Sequence, residues 1–103
     1  MVLTVPMVEE AIPPGTERAV VEAYFSEIGA PSFWIPRDAN EPAASNFPWR
    51  EDEVGVISSG AIRNVKEHWW WPSFGRIMII HVGISADGCV TQLQFQQHMS
   101  GWP

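Results

Sequence analysis

The clearest hydrophobic pattern lies in the N-terminal third of the chain, where apolar residues recur at intervals of three and four. These residues, Val20, Val21, Tyr24, Phe25 and Ile28, share one side of a helical wheel, as expected for a helix that packs on a core. Thr16 is placed to cap this helix through its hydroxyl group, and Gly29 followed by Pro31 is a suitable end. The pattern predicts a helix over residues 17 to 28.

A different period, of two residues, dominates the C-terminal part and is typical of β-strands. Two alternating segments, residues 76–85 and 89–98, flank Asp87-Gly88, a dipeptide suited to a two-residue hairpin turn. This turn predicts three cross-strand pairs on the core face: Ile80 with Phe95, Val82 with Leu93, and Ile84 with Thr91. The opposite face then carries His81 against Gln94, with further glutamines beside them.

The rest of the chain connects the helix to the hairpin. Residues 30 to 53 read as a long Pro-rich connecting loop that includes a short strand near Ser32 to Ile35, and a third sheet strand falls between Val56 and His68. Trp34 and Trp49 indicate that the loop is pinned to the rest of the protein. We therefore expect a single α+β domain over residues 1–103. Its one main helix, with room for a second short one, packs on a three- or four-stranded antiparallel sheet.

Charge and hydropathy limit the classes of partner. Twelve acidic and six basic residues give a net charge of −6, which disfavours nucleic acid, because phosphates are bound by clustered Lys and Arg. An acidic protein is steered towards basic partners. No apolar run approaches the ~20 residues that span a bilayer. The sequence as it stands predicts a cytoplasmic protein, or an envelope protein if a signal peptide has been removed.

Metal and catalytic chemistry find little support in the sequence. In the predicted hairpin His81 and His98 lie four residues apart along the strands, about 13 Å, whereas the nitrogens that share a zinc ion each lie within ~2 Å of it. The single cysteine, Cys89, excludes an internal disulfide bond, and no nucleophile or phosphate-binding motif is present. We expect no cofactor and no metal, and an enzyme that uses His68 or His81 is only an alternative.

Half of the six tryptophans form one continuous run, Trp69-Trp70-Trp71. In an extended segment neighbouring side chains point in opposite directions, so a single buried face cannot take all three. Because Trp is enriched at interfaces, this run is either core filler or part of a contact surface. The candidate binding residues are Trp69, Trp70, Trp71, Phe74, Trp49 and Trp34.

One stretch resembles a known group of proteins. Gly15, Thr16, Val20 and the sequence Ile28-Gly29-Ala30-Pro31 are similar to a pattern found in small envelope domains of the outer-membrane assembly lipoprotein and β-lactamase-inhibitor-protein type. The resemblance implies a helix packed on an antiparallel sheet and a role in binding other proteins, without catalysis.

The first functional hypothesis is therefore a non-catalytic protein-binding module, such as an acidic inhibitor or immunity-type partner of a basic protein. The protein partner could also be a second copy of this chain, in a homodimer. Two alternatives stay open: a small-molecule or glycan-binding domain that uses exposed Trp, and the enzyme with His68 or His81. A flat apolar patch would favour a protein partner, whereas a concave pocket with converging polar groups would favour a ligand.

Overall fold

A computed structural model describes residues 3–60, 62–63, 65–66 and 76–99. In chain order its elements are β1 (Leu3–Thr4), α1 (Val5–Ala11), α2 (Arg18–Glu27), β2 (Ser32–Pro36), α3 (Pro42–Ser45), β3 (Glu53–Ser59), β4 (Ile62–Arg63), β5 (Val65–Lys66), β6 (Arg76–Ser85) and β7 (Val90–Met99). β2 is the short strand predicted near Ser32. β3 corresponds to the third sheet strand, and it begins at Glu53, three residues before the predicted range of Val56 to His68.

The main sheet is antiparallel and runs in the order β2, β3, β6, β7. β4 continues along the same side of β6 as β3, with Ile62 opposite Met78. β1 and β5 form a separate short parallel pair. Helices beside an antiparallel sheet confirm the predicted α+β class, and α1 is the second short helix for which the prediction left room.

The β6–β7 hairpin has the predicted pairing over most of its length. Ile80 faces Phe95, Val82 faces Leu93, and the pair on the opposite face is His81 with Gln94. Because side chains alternate along a strand, this register decides which residues reach the helices and which reach the other face.

The turn of the hairpin contains Asp87-Gly88 as predicted, but it is one residue longer. The Ser85 N–H donates to the Cys89 carbonyl at 2.9 Å, which closes a loop of residues 86–88. Gly88 has a φ of 82°, as the last residue of a three-residue loop requires. The predicted pair of Ile84 with Thr91 is therefore wrong: the register shifts between Gly83 and Ile84, and Ile84 pairs with Val90.

Helix α2 starts differently from the prediction because the residues before it are tied to the hairpin. Glu17 occupies the N-cap position, and the Thr16 hydroxyl donates to the Pro13 carbonyl at 2.6 Å instead of capping the helix. The Thr16 carbonyl accepts the Val90 N–H at 2.8 Å. The helix ends as predicted at Gly29, whose φ of 78° permits the left-handed turn that closes many helices.

The core lies between α1 and α2 on one side and one face of the sheet on the other. It contains Val8, Ile12, Val21, Phe25, Ala30, Ile57, Met78, Ile80, Val82, Ile84 and Val90. Tyr24, Ile28, Leu93 and Phe95, which the periodicity also placed in the core, are only partly buried against it. Val8 and Ile12 come from α1 and its C-cap, a segment whose helical pattern was not recognised in the sequence.

The long predicted connection contains β2 and α3, and its residues 37–52, which we call the strap, cross the other face of the sheet. Trp49 fixes the strap, because its indole N–H donates to the Ala44 carbonyl at 2.7 Å. The Arg37 guanidinium lies 5.4 Å from the Trp49 ring centroid and donates to the Arg50 and Glu53 carbonyls at 2.9 and 3.0 Å. The strap is thus pinned, as Trp49 indicated.

Candidate functional site

A groove of about 520 Å³ lies between the strap and the sheet face that points away from the helices. Its apolar lining comes from Phe33, Pro42, Phe47, Pro48, Ile79 and Phe95, and its polar groups come from Asn46, Ser58, Ser59, His81, Gln94 and Gln96. Among the lining residues that the structure describes, none is Asp, Glu, Lys or Arg. A mainly apolar cleft of this size with a few polar groups is typical of small-molecule sites.

The floor of the groove is a single row of residues that crosses β2, β3, β6 and β7. Phe33 of β2 is opposite Ser58 of β3, Ser58 is opposite His81 of β6, and His81 is opposite Gln94 of β7. Adjacent strands lie ~4.8 Å apart. The row therefore places one aromatic ring and three polar side chains side by side on a rigid surface.

The imidazole of His81 is the least satisfied group of this row. Its Nδ1 atom is buried and has no hydrogen-bond partner among the described residues. Burial lowers the pKa of His81, and the side chain of Gln96 opposes part of that effect. His81 is therefore a neutral ring at pH 7, with one nitrogen that donates and one that accepts.

Next to the groove, the strap covers a buried carboxylate. Glu53 is 2% exposed, and its carboxylate accepts hydrogen bonds from the Arg50 backbone N–H and the Thr91 hydroxyl. The Gln92 amide nitrogen lies 2.9 Å from each carboxylate oxygen. These donors are all uncharged groups, so directed hydrogen bonds from neutral donors satisfy the buried Glu53 side chain.

The hydrogen bonds continue from this carboxylate into the groove. The Gln92 amide nitrogen also donates to the Pro48 carbonyl of the strap at 2.9 Å. The Gln92 side-chain carbonyl accepts from the Gln94 amide nitrogen at 2.9 Å. The side chains of Glu53, Gln92 and Gln94 thus form a hydrogen-bonded series, which we call the amide relay. It joins the buried Glu53 side chain to the groove floor.

A second and shallower depression, of about 680 Å³, lies between α1 and α2 on the opposite side of the molecule. Met7, Ala11, Tyr24 and Ile28 give it an apolar surface, and Glu10 and Glu27 lie at its edge. Burial, and secondarily the charge of Glu27, raise the pKa of Tyr24. The depression thus combines an apolar base with negative charge.

The sequence-predicted binding residues do not come together among the described residues. Trp34 packs on the helix side, where the Arg18 guanidinium lies 4.1 Å from its ring centroid and where its ring leaves no room for a Cβ at Gly55. Trp49 belongs to the strap on the other side. The remaining candidates, Trp69, Trp70, Trp71 and Phe74, lie outside the described residues.

From the sequence, His81 was weighed as a metal ligand and as a catalytic residue, and the structure places it on the groove floor. Ser58 is directly opposite, but its hydroxyl donates to the Ser59 carbonyl at 3.4 Å rather than to the imidazole. No serine–histidine pair of the kind that activates a nucleophile is formed there. His68 lies outside the described residues, so the enzyme alternative stays a hypothesis.

Two further searches cover only the described part of the chain. There, no group of three or more His, Cys, Asp and Glu side chains is arranged to hold a metal ion. In the same ranges, no helix has the length and hydropathy needed to cross a membrane.

Comparison with protein families, with characterised proteins and with solved structures finds no match to this chain. The resemblance to small envelope domains therefore stays a prediction, and the function has to be argued from the geometry of the groove and the helical depression.

Proposed function

We propose that this protein is a non-catalytic binding module that holds a small neutral organic ligand in the groove under the strap. The observation that carries the proposal is the cross-strand row of Phe33, Ser58, His81 and Gln94 beneath walls of phenylalanine and proline. Such a concave site with converging polar groups is the geometry that favours the small-molecule alternative over a flat protein interface.

The chemistry of the lining favours a neutral ligand. A charged ligand would lose part of its hydration in the groove, and no described lining side chain carries an opposite charge to compensate. Amide, hydroxyl and imidazole groups instead suit ligands with neutral polar groups.

An aromatic wall at the groove mouth is available for stacking. Phe33 is 56% exposed, the largest exposed fraction among the large apolar side chains for which exposure is described. An apolar ring held in water beside polar groups gains contact area when a ligand covers it. Phe33 takes the role that the sequence-based hypothesis gave to exposed tryptophan.

The proposal is tested by titrating ¹⁵N-labelled protein with neutral monosaccharides, nucleosides and aromatic amides, and with charged counterparts such as glucuronate. We expect neutral compounds to shift the resonances of Ser58, His81 and Gln94, and charged ones to bind more weakly. Phe33→Ala should lower the affinity roughly 5- to 10-fold, the loss of about 1 kcal/mol of aromatic contact.

Val20→Ala is the matched control, because Val20 is a similarly exposed apolar residue, at 49%, but lies on α2. It should leave binding unchanged. Equal binding of neutral and charged compounds, or shifts centred on the helices, would contradict the proposal.

A protein partner is the second candidate, and the depression between α1 and α2 is the observation that favours it. Its apolar base and the carboxylates of Glu10 and Glu27 suit a segment that carries both apolar and basic side chains, in keeping with the net charge of −6.

This candidate predicts that an amphipathic Lys/Leu peptide binds better than its Glu/Leu counterpart and that salt weakens binding. The double variant E10Q/E27Q should reduce the affinity about 3- to 10-fold at low salt. The double variant D38N/E41Q, which removes two exposed charges from the strap side, is the matched control and should have a smaller effect. Equal effects of the two double variants would point to net charge rather than to this surface.

A further inference from the structure

The amide relay begins at Glu53, whose side-chain oxygens are the acceptors in every hydrogen bond described for them. Both of its oxygens accept from the Gln92 amide nitrogen, at 2.9 Å each. A Gln92 side chain with nitrogen and oxygen exchanged would place its one oxygen against both the carboxylate and the Pro48 carbonyl, where it could donate to neither. The carboxylate therefore fixes which way the Gln92 amide faces.

The orientation of Gln92 determines that of Gln94. With its nitrogen turned to Glu53, Gln92 offers its side-chain oxygen to Gln94, and the Gln94 nitrogen donates to that oxygen at 2.9 Å. The Gln94 carbonyl oxygen is at the other corner of the same amide group. Since Gln94 lines the groove and no described residue donates to this oxygen, the oxygen can accept a hydrogen bond from a bound molecule.

The other two polar groups of the row, Ser58 and His81, also offer acceptors. The Ser58 hydroxyl uses its proton on the Ser59 carbonyl, which leaves oxygen lone pairs free. For His81, a buried N–H without an acceptor is rarer than a buried acceptor without a donor, so its proton belongs on Nε2, towards Gln96. Nδ1, which has no partner among the described residues, is then an acceptor.

We infer that buried Glu53 sets the polarity of the groove floor through the amide relay, so that the groove takes a ligand that donates several hydrogen bonds, namely a neutral polyhydroxyl compound such as a sugar. The inference rests on the proposed function, because it names the ligand class of the same groove. Glu53 and Gln92 are positioning residues: neither lines the groove, and both act through Gln94.

Two matched pairs of probes isolate donor groups from shape. Methyl glucoside and its fully O-methylated derivative share a ring and acceptor oxygens, but only the first has O–H groups; phenol and anisole form a smaller aromatic pair. In NMR titrations of the wild-type protein, we expect the donor member of at least the sugar pair to bind about 10-fold more tightly.

Variants then separate the relay from simple contact. Gln94→Met should lower the affinity for methyl glucoside about 10-fold and leave that for its methylated derivative unchanged. Gln92→Met, outside the groove, should reduce the preference for donors to within about 3-fold, because the Gln94 amide can then turn either way. Thr91→Val is the control, since Thr91 also contacts Glu53 but is not part of the amide relay.

Slow exchange of a Gln94 side-chain amide proton in the wild type, lost in Gln92→Met, provides a measurement that needs no ligand. If Gln92→Met does not fold, two measurements still test the inference. They are the slow exchange of the Gln94 side-chain amide proton in the wild type, and the ratio of the affinities of Gln94→Met for the two sugars. Equal binding of the two sugars to the wild type would overturn this inference and leave the proposed function standing. Absence of binding by the whole neutral panel would overturn both, and unchanged selectivity in folded Gln92→Met would overturn the role of Glu53.

Discussion

The two faces of the sheet are built from the same strands but are covered in different ways. The face under α1 and α2 buries an entirely apolar cluster, with side chains such as Phe25, Ile57 and Ile80 fully enclosed. The face under the strap buries Glu53 and Gln92, together with part of His81. One face is specified by hydrophobicity, and the other depends largely on directed hydrogen bonds between buried polar groups.

This difference separates stability from specificity. Full burial of a large apolar side chain contributes about 1.5–3 kcal/mol, whereas a typical hydrogen bond contributes about 0.5–1.5 kcal/mol net. The helix side should therefore supply most of the folding free energy. The strap side contributes less and holds polar groups in fixed directions, which is what a binding site needs.

The largest effect is expected from Phe25→Ala, on the helix side. Phe25 is fully buried, so its truncation should cost about 3–5 kcal/mol, measured by urea denaturation. Phe95, which the sequence also placed in the core, is only partly buried, so Phe95→Ala should cost clearly less. Equal costs for the two variants would mean that the core encloses Phe95 as tightly as it encloses Phe25.

An intermediate effect is expected from Gly83→Ala, on the strap side. A Cβ at this position would collide with the Glu53 carboxylate and lie 2.9 Å from the Thr91 hydroxyl oxygen, so we expect a cost of about 1–3 kcal/mol. The cost should shrink in a Glu53→Ala background, because the colliding atom is gone. A double-mutant cycle measures this coupling, and additive costs would show that Gly83 is not packed on Glu53.

A smaller and local effect is expected from Trp49→Phe. The variant loses the 2.7 Å hydrogen bond to the Ala44 carbonyl, a loss of about 0.5–1.5 kcal/mol. The Ser45 N–H donates to the N-cap of α3, and the Asn46 N–H donates to the first residue of α3. Amide hydrogen exchange should accelerate at these two groups and stay slow in β6 and β7. Uniform acceleration would mean that the strap and the sheet unfold together.

The two faces also differ in how far the sequence predicts them. The helix face follows from apolar periodicity in α2 and β6, and it was predicted down to the Val82–Leu93 pair. The strap face depends on which residues of β3 oppose His81. All four residues from Val56 to Ser59 are buried, on one face or the other, so alternation along the strand did not predict this register.

The buried carboxylate was hidden for a related reason. Glu53 reads as a polar residue at the end of a loop, and the donors that satisfy it come from Arg50 in the strap and from Thr91 and Gln92 in β7, which no local pattern joins. The extra turn residue that puts Ile84 opposite Val90 was likewise not visible in the Asp87-Gly88 dipeptide. The alternation of apolar and polar residues in β6 and β7 predicted one part of the groove floor, the pairing of His81 with Gln94.

The smallest effect concerns pH and distinguishes His81 from the other titrating groups. Burial keeps the pKa of His81 in the folded protein below the ordinary value of 6.5, so the unfolded chain binds more protons in the interval between the two values. Stability from this residue is complete above pH 6.5 and is lost as the pH falls towards the folded-state pKa.

The variant His81→Gln keeps a neutral polar side chain at this position and removes its titration, whereas the other groups titrate in both proteins. The thermal midpoint of the wild type should therefore fall more steeply than that of the variant between pH 7 and pH 5.5, and the two should run parallel above pH 7. Parallel curves throughout would mean that the Nδ1 atom has a hydrogen-bond partner that stabilises the protonated ring, and the acceptor assigned to His81 on the groove floor would then be lost.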